Sequence, residues 1–389
     1  MAHAGAVAKP IYLDHHATTP LDPRVLDAML PWFTDDFGNA ASRTHSYGWR
    51  AEAAVDDARE RIASAIGAAS REIVFTSGAT ESNNLALLGA AEATARRSAH
   101  FVTLVTEHSS VLDPLRHLES QGHAVTWLDV DRDGLVDAAQ IEAAIRDDTL
   151  LVSVMAANNE IGVLQPIGEI GAICRARGVL FHSDAAQAAG RIDLDVDRES
   201  IDLLSISAHK LYGPKGVGAL FVRARRPRAR IAPRQFGGGH ERGLRPGTLP
   251  VPLIVGMARA LELCIEERDA ENVRLSALRD RLRERISGAL DGVRVNGHAE
   301  RRLAANLNLA FEGVDGAKLL LALGGVAVSS GSACSSAKPE PSHVLVAIGV
   351  PEPQTRASLR FGLGRGTRVE DVDRAADLVI EAVRKQRSS

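Results

Sequence analysis

The chain of 389 residues is long enough for two domains, or for one large domain with an appendage. Hydrophobic residues make up 45% and charged residues 24%, which supports a large core, but aromatics reach only 4%, so Ala, Val, Leu and Ile must do most of the packing. A net charge of -3 argues against nucleic acid or acidic membrane as a general partner, and no apolar run approaches the roughly 20 residues that span a bilayer. The first residues, MAHAGAVAKP, lack the charged start and apolar core of a signal peptide. Three cysteines, odd in number and far apart, argue against a disulfide framework and for a reducing cytoplasm.

In chain order, EIVFTS (72–77) precedes a helical pattern, as do FVTLVT (101–106), AVTWLDV (124–130) and LLVSVMA (150–156). VLFHS (179–183) and LLSIS (203–207) follow. Strands alternating with helices predict an α/β fold with a mainly parallel sheet flanked by helices. Ligands bind such sheets at the carboxyl ends of the strands. After about residue 265 the texture changes. A charged helix over 271–289 leads to strand-like ANLNLAF (305–311) and helix DGAKLLLAL. A cysteine-bearing segment, helix SHVLVAI, strand SLRFGL (358–363) and an amphipathic helix over 369–385 complete a smaller α/β unit.

Four polar stretches fall at strand ends. SGATES (77–82) opens a helix, and small residues there let backbone N–H groups reach an anion; the same residues also make an ordinary turn and N-cap. It is not a nucleotide P-loop, because G-x-x-x-x-G-K-[ST] is absent. In SAHKLYGPKG (207–216), Lys210 directly follows an apolar strand. A lysine at the edge of a core suits a Schiff base if its pKa is depressed, and otherwise caps a surface loop. Ser207 and His209 flank it as possible phosphate donors. In FHSDAAQ (181–187), Asp184 ends a strand that should be buried; it either pairs with a cation, such as a protonated pyridine nitrogen, or caps the next helix. TEHSSVL (106–112) places His108 after another strand end, where it is either structural or part of the site. Together, a phosphate cup, a lysine, an aspartate and a histidine at one sheet edge suit pyridoxal phosphate. The segment SSGSACSSA (329–337) sets Cys334 among small polar residues that cannot bury a thiol, whereas free cysteines are usually buried.

The sequence closely resembles the cysteine desulfurases of the NifS/IscS group, within the fold-type I, class V aminotransferase superfamily of pyridoxal phosphate enzymes. The resemblance rests on IYLDHHATTP (11–20), FGNAASRTH (37–45), EIVFTSGATESNNLA (72–86), NNEIG (158–162), FHSDAAQ, SAHKLYGPKG, GGGHERGLRPGT (237–248), SSGSACSSA, EPSHVL (340–345) and SLRFGLGR (358–365), which together run over nearly the whole chain. It implies a homodimer that converts L-cysteine to L-alanine and a protein-bound persulfide. It implies that Lys210 holds the cofactor, that Ala79, Thr80, Ser207 and His209 surround its phosphate, and that Thr248 reaches the phosphate of the neighbouring subunit's cofactor. By the same resemblance His108 stacks on the ring, Asp184 pairs with the pyridinium nitrogen and Gln187 bonds the phenolic oxygen. Asn159 and Arg360 are expected at the substrate carboxylate, and Cys334 is the nucleophile on a long mobile loop of about 329–341. The implied division is a large cofactor-binding domain over 16–265 and a small domain of 1–15 and 266–389.

The sulfur acceptor implied is an iron–sulfur scaffold or a thiolation enzyme, with DNA sulfur modification as a further destination. Housekeeping relatives carry an extension past the last helix that helps dock an iron–sulfur scaffold, whereas this chain ends at VRKQRSS (383–389), which leaves scaffold docking in that form an open expectation. The alternative activity is a selenocysteine lyase or another class V enzyme, although a plain aminotransferase needs no thiol. Cys174 and Cys264 lie in helical patterns and read as core residues. His15 and His16 lack companion ligands at metal spacing, so no metal is expected. The arginine-rich run VRARRPRARIAPR (222–234) reads as a solvated connection or as a docking surface for an acidic partner; without interleaved aromatics, direct nucleic-acid binding is not expected.

Overall fold

The structure, a computed structural model, describes residues 9–95, 97–226, 228–330 and 341–388. Thirteen strands run through them in chain order: β1 (Ile11–Tyr12), β2 (Ile73–Thr76), β3 (His100–Leu104), β4 (Ala124–Leu128), β5 (Thr149–Ser153), β6 (Leu180–Asp184), β7 (Leu203–Ser207), β8 (Gly218–Val222), β9 (Val293–Val295), β10 (Asn306–Phe311), β11 (Val326–Ala327), β12 (Ser329–Ser330) and β13 (Ser358–Gly362). Seven form one sheet in the order β2-β8-β7-β6-β5-β3-β4. All its pairings are parallel except those of β8, which is antiparallel to both β2 and β7. Because β8 reverses twice, β2 and β7 point the same way, and their carboxyl ends share one edge of the sheet.

The strands of this sheet read as near-continuous apolar runs because helices cover both faces. Phe75, Phe101, Phe181 and Phe221 are almost completely buried, and burial of each contributes roughly 1.5–3 kcal/mol. One core lies on each face: one holds Phe75, Val152, Phe181 and Ile206, the other Val74, Phe101, Leu151 and Leu220.

A four-stranded antiparallel sheet, β12-β13-β10-β9, forms a second layer structure. Its core holds Leu307, Leu309, Phe361 and Val379, together with Leu13 from the N-terminal stretch. β1 pairs in parallel with β11, so Ile11 and Tyr12 lie against the C-terminal third of the chain.

Helix Val251–Ala289 connects the two regions. The sequence reads as separate helices here, but the structure has one helix of 39 residues, about 58 Å long. No glycine or proline interrupts IEERDAE (265–271), and its Glu, Arg and Ala favour continuation. Ile254 and Leu261 pack in the first core, Leu278 and Ile286 in the second. The arginine-rich run also departs from a purely solvated connection. Arg223 is buried and bonds Asp197 and Asp202, and Arg225 reaches buried Glu72. No described helix is long and apolar enough to cross a membrane.

Candidate active site

A cavity of about 570 Å³ opens at the carboxyl edge of the seven-stranded sheet. Ala79, Thr80, His108, Asn159, Asp184, Gln187, Ser207, His209, Lys210 and Arg360 all line it, although they are spread over nearly three hundred positions of sequence. Thr248 does not line this cavity and is exposed. Cys334 lies outside the described residues. Ser329, whose register partner is Arg360, also lines the cavity.

The turn after β2 shapes one end. Thr76 Oγ1 hydrogen-bonds Ser82 Oγ at 2.8 Å, and Glu81 Oε2 accepts from Ser77 N at 2.7 Å. Helix Ala79–Ala93 then starts beside the cavity, which Ala79 and Thr80 line, and its first amides have no partner within the helix. Gly78, at φ 149°, leaves the mouth of this turn open; a Cβ there would stand 3.7 Å from Ser207 Oγ, inside the cup. Gly218 on β8 lets the turn come this close, since a Cβ at 218 would lie 2.6 Å from Gly78 Cα.

Asp184 ends β6, 5% exposed. Asn83 Nδ2 donates to its Oδ2 at 2.7 Å and Ala186 N donates to its Oδ1 at 2.8 Å, so the carboxylate caps a turn rather than a helix, and Asp184 also lines the cavity. Gln187 Nε2 donates to His16 O at 2.9 Å, and its Oε1 lies 3.0 Å from His16 Nδ1. His108 caps the helix Ser109–Ser120, its Nδ1 within 2.7 Å of Ser110 Oγ. Lys210 lies in the short turn after β7 beside His209.

Burial holds the imidazoles of this region neutral. It lowers His16, His108 and His209, the last to about 4 with Lys210 and Lys215 adding to the effect. His182, beneath Asp184 on β6, is likewise lowered to about 4 by burial. The opposite wall carries Arg360 on β13. Its Nη2 donates to Asp14 Oδ1 at 2.7 Å and its Nη1 to Asn159 O at 2.9 Å. Cys174 and Cys264 are buried, and burial pushes their thiols up to about 12 and about 11. Both remain protonated and inert near neutral pH.

Sequence reading assigned no role to Asp14, His16, Glu81 or Asn83. Asp14 and His16 belong to the quoted IYLDHHATTP, but only the packing of β1 against the C-terminal third brings them to the cavity. Asn83 is 101 positions from Asp184, and nothing local in the sequence links the two.

The donor set fits pyridoxal phosphate. An open turn at a helix start suits the phosphate, a lysine and a buried carboxylate lie across the cavity, and His16 Nε2 in the wall is buried without a partner. A fold of this kind with a site of this kind defines a fold-type I pyridoxal phosphate enzyme. The chain belongs to the class-V aminotransferase family, whose model matches residues 11–375. It is 58% identical over 378 residues to the cysteine desulfurase IscS of Anaeromyxobacter dehalogenans (strain 2CP-C), a match that covers 97% of this chain and 93% of that protein. Among solved structures, a NifS-like protein superposes with a TM-score of 0.90 at 35% identity, covering 97% of this chain and all of the other. SspA in complex with cysteine superposes with a TM-score of 0.81 at 39% identity, covering 90% and 98%.

Proposed function

We propose that this protein is a cysteine desulfurase that takes sulfur from L-cysteine and leaves L-alanine and a persulfide on Cys334. The observation that carries the reading is one cavity lined by Lys210 and Asp184 on the sheet side and by the Arg360 fork on the other. The relatives' activity supports it, and a relative in complex with cysteine supports the substrate.

In this reading Lys210 Nζ would hold the cofactor, and the amides of Ala79 and Thr80 with Ser207 and His209 would hold its phosphate. Asp184 would pair with the ring nitrogen, Gln187 would bond the phenolic oxygen, and His108 would stack on the ring. When bound, the cofactor supplies an electron sink for the substrate's α-carbon. Arg360 and Asn159 orient the substrate carboxylate, for which a planar bidentate fork is well shaped. Ser110 N donates to His108 Nδ1 at 3.1 Å, which supports proton transfer at Nε2 of a neutral ring. The Cys334 thiolate attacks the substrate sulfur: an S–S bond forms, the C–S bond breaks, and its electron pair stays on carbon and takes a proton. The other two cysteines are buried with raised pKa values, which leaves Cys334 for this role. Thr248, exposed on this subunit, reaches the partner's cavity in a homodimer. The large domain spans 16–265 and the small one 1–15 with 266–389; the separate cores and the placement of Leu13 support that division. The persulfide then passes to an acceptor protein.

The test is to incubate the protein with L-cysteine, without added thiol, and weigh it intact beside Cys334→Ala. A gain of one or more sulfur atoms on wild type alone, with alanine formed, is expected. Unchanged mass on the cofactor-loaded wild type, or equal sulfide release by Cys334→Ala, would sink the reading.

A further inference from the structure

The loop over 240–245 is strained and heavily anchored. Glu241 and Arg242 are consecutive non-glycine residues at φ 48° and 57°. Such conformations each cost on the order of 1–3 kcal/mol and persist only where the surroundings enforce them. Here the enforcement comes from β2. Buried Glu241 accepts from Arg59 Nη1 and Nη2 at 2.8 and 2.7 Å and from Phe75 N at 2.8 Å. Arg59 Nη1 and Arg242 Nη2 both donate to Ile73 O, at 2.9 and 2.7 Å. The loop is thus pinned to the strand that delivers the Ser77–Thr80 turn.

The next residues of the loop reach the turn itself. Arg245 Nε donates to Glu81 Oε1 at 2.9 Å, with Nη2 at 3.4 Å from Oε2. Glu81 is needed there because its Oε2 closes the turn on Ser77 N. It also lines the cavity, so its negative charge stands beside the cup that would receive a phosphate dianion. Like charges at short range in a partly dehydrated site repel strongly.

We propose that Arg245, presented by the strained loop, is a positioning residue that neutralises Glu81 and so lets Glu81 shape the anion cup without repelling the cofactor's phosphate. This rests on the phosphate placement given under the proposed function. Arg245 acts through Glu81 and touches neither substrate nor the reacting atoms.

The experiment titrates the full-length protein, stripped of cofactor, with pyridoxal phosphate and separately with pyridoxal, which lacks the phosphate. Arg245→Gln is expected to weaken pyridoxal phosphate about tenfold while pyridoxal stays within about twofold, because only the dianion meets the exposed Glu81 charge. The double variant Glu81→Gln/Arg245→Gln removes both charges and is expected to recover to within about threefold of wild type. Three outcomes would overturn the proposal. Arg245→Gln could weaken both ligands equally, as a folding defect would. It could weaken neither. The double variant could bind pyridoxal phosphate more weakly than Arg245→Gln alone. Wild type that binds neither ligand would instead count against the cavity as a cofactor site, so the two failures are distinguishable.

Discussion

The wall of the cavity built by the seven-stranded sheet locks its charges into short networks, while the wall built by β12 and β13 presents a charge paired with one carboxylate and one backbone carbonyl. On the first wall Asp184 is fixed by Asn83 and Ala186, the Thr76–Ser82 turn is laced side chain to side chain, and burial keeps the imidazoles neutral. On the second, Arg360 rests on the carboxylate of Asp14 and the carbonyl of Asn159, and in the proposed function a substrate carboxylate would share or displace those contacts. The difference suits the two guests of the proposed function. A resident cofactor is best met by preorganised groups that need no rearrangement. A substrate that enters and leaves at each turnover is better met by a fork that can trade one carboxylate for another.

Three changes probe that contrast, ordered by their effect on turnover. Lys210→Ala acts on the first wall and should abolish both the visible absorption of bound cofactor and desulfuration, by at least about a thousandfold. Cofactor absorption that survives this change would place the anchor elsewhere. Arg360→Lys acts on the second wall and should leave that absorption intact while lowering kcat/KM for L-cysteine about a hundredfold, chiefly through KM, because a point charge cannot replace a bidentate fork. A loss confined to kcat would show that Arg360 serves the chemistry rather than binding.

Glu160 lies where the two regions meet. Its Oε2 accepts from Ser342 Oγ at 2.5 Å, and its carbonyl accepts from Asn306 and Asn308 of β10. Burial raises its carboxyl to about 7. The folded protein therefore binds this proton more tightly than the unfolded chain, whose carboxyl titrates near pH 4.5. The sign follows: between about pH 4.5 and 7 this group makes stability fall as pH rises, by on the order of 3 kcal/mol in total. Glu160→Gln should flatten that stretch of the denaturation profile and change turnover least. A profile that keeps its slope in the variant would assign the titration to another group.

Much of this molecule was legible in the chain. Continuous apolar runs bounded by small polar residues announced the buried sheet, and the polar clusters at their carboxyl ends announced the cavity, because strand ends are where backbone polarity and ligand access coincide. Lys210, Asp184 and His108 could be picked out for that reason. Others could not. Asp14 meets Arg360 across 346 positions, and Asn83 meets Asp184 across 101, so no window of sequence contains either pair. Arg223 reads as one charge in a basic run, yet it is buried against Asp197 and Asp202 once β8 enters the sheet. The sequence reads as two helices where the structure has the single helix Val251–Ala289, and which core each half joins was decided by packing.

By itself, then, the sequence determined the local structure, the strand-end chemistry and the inventory of reactive groups, since periodicity, turn residues and side-chain type are local properties. Only the tertiary structure decided which charges are neutralised, which imidazoles stay neutral and which thiols are inert. Those depend on burial and on partners brought close from distant parts of the chain, and both arise only when the cores form.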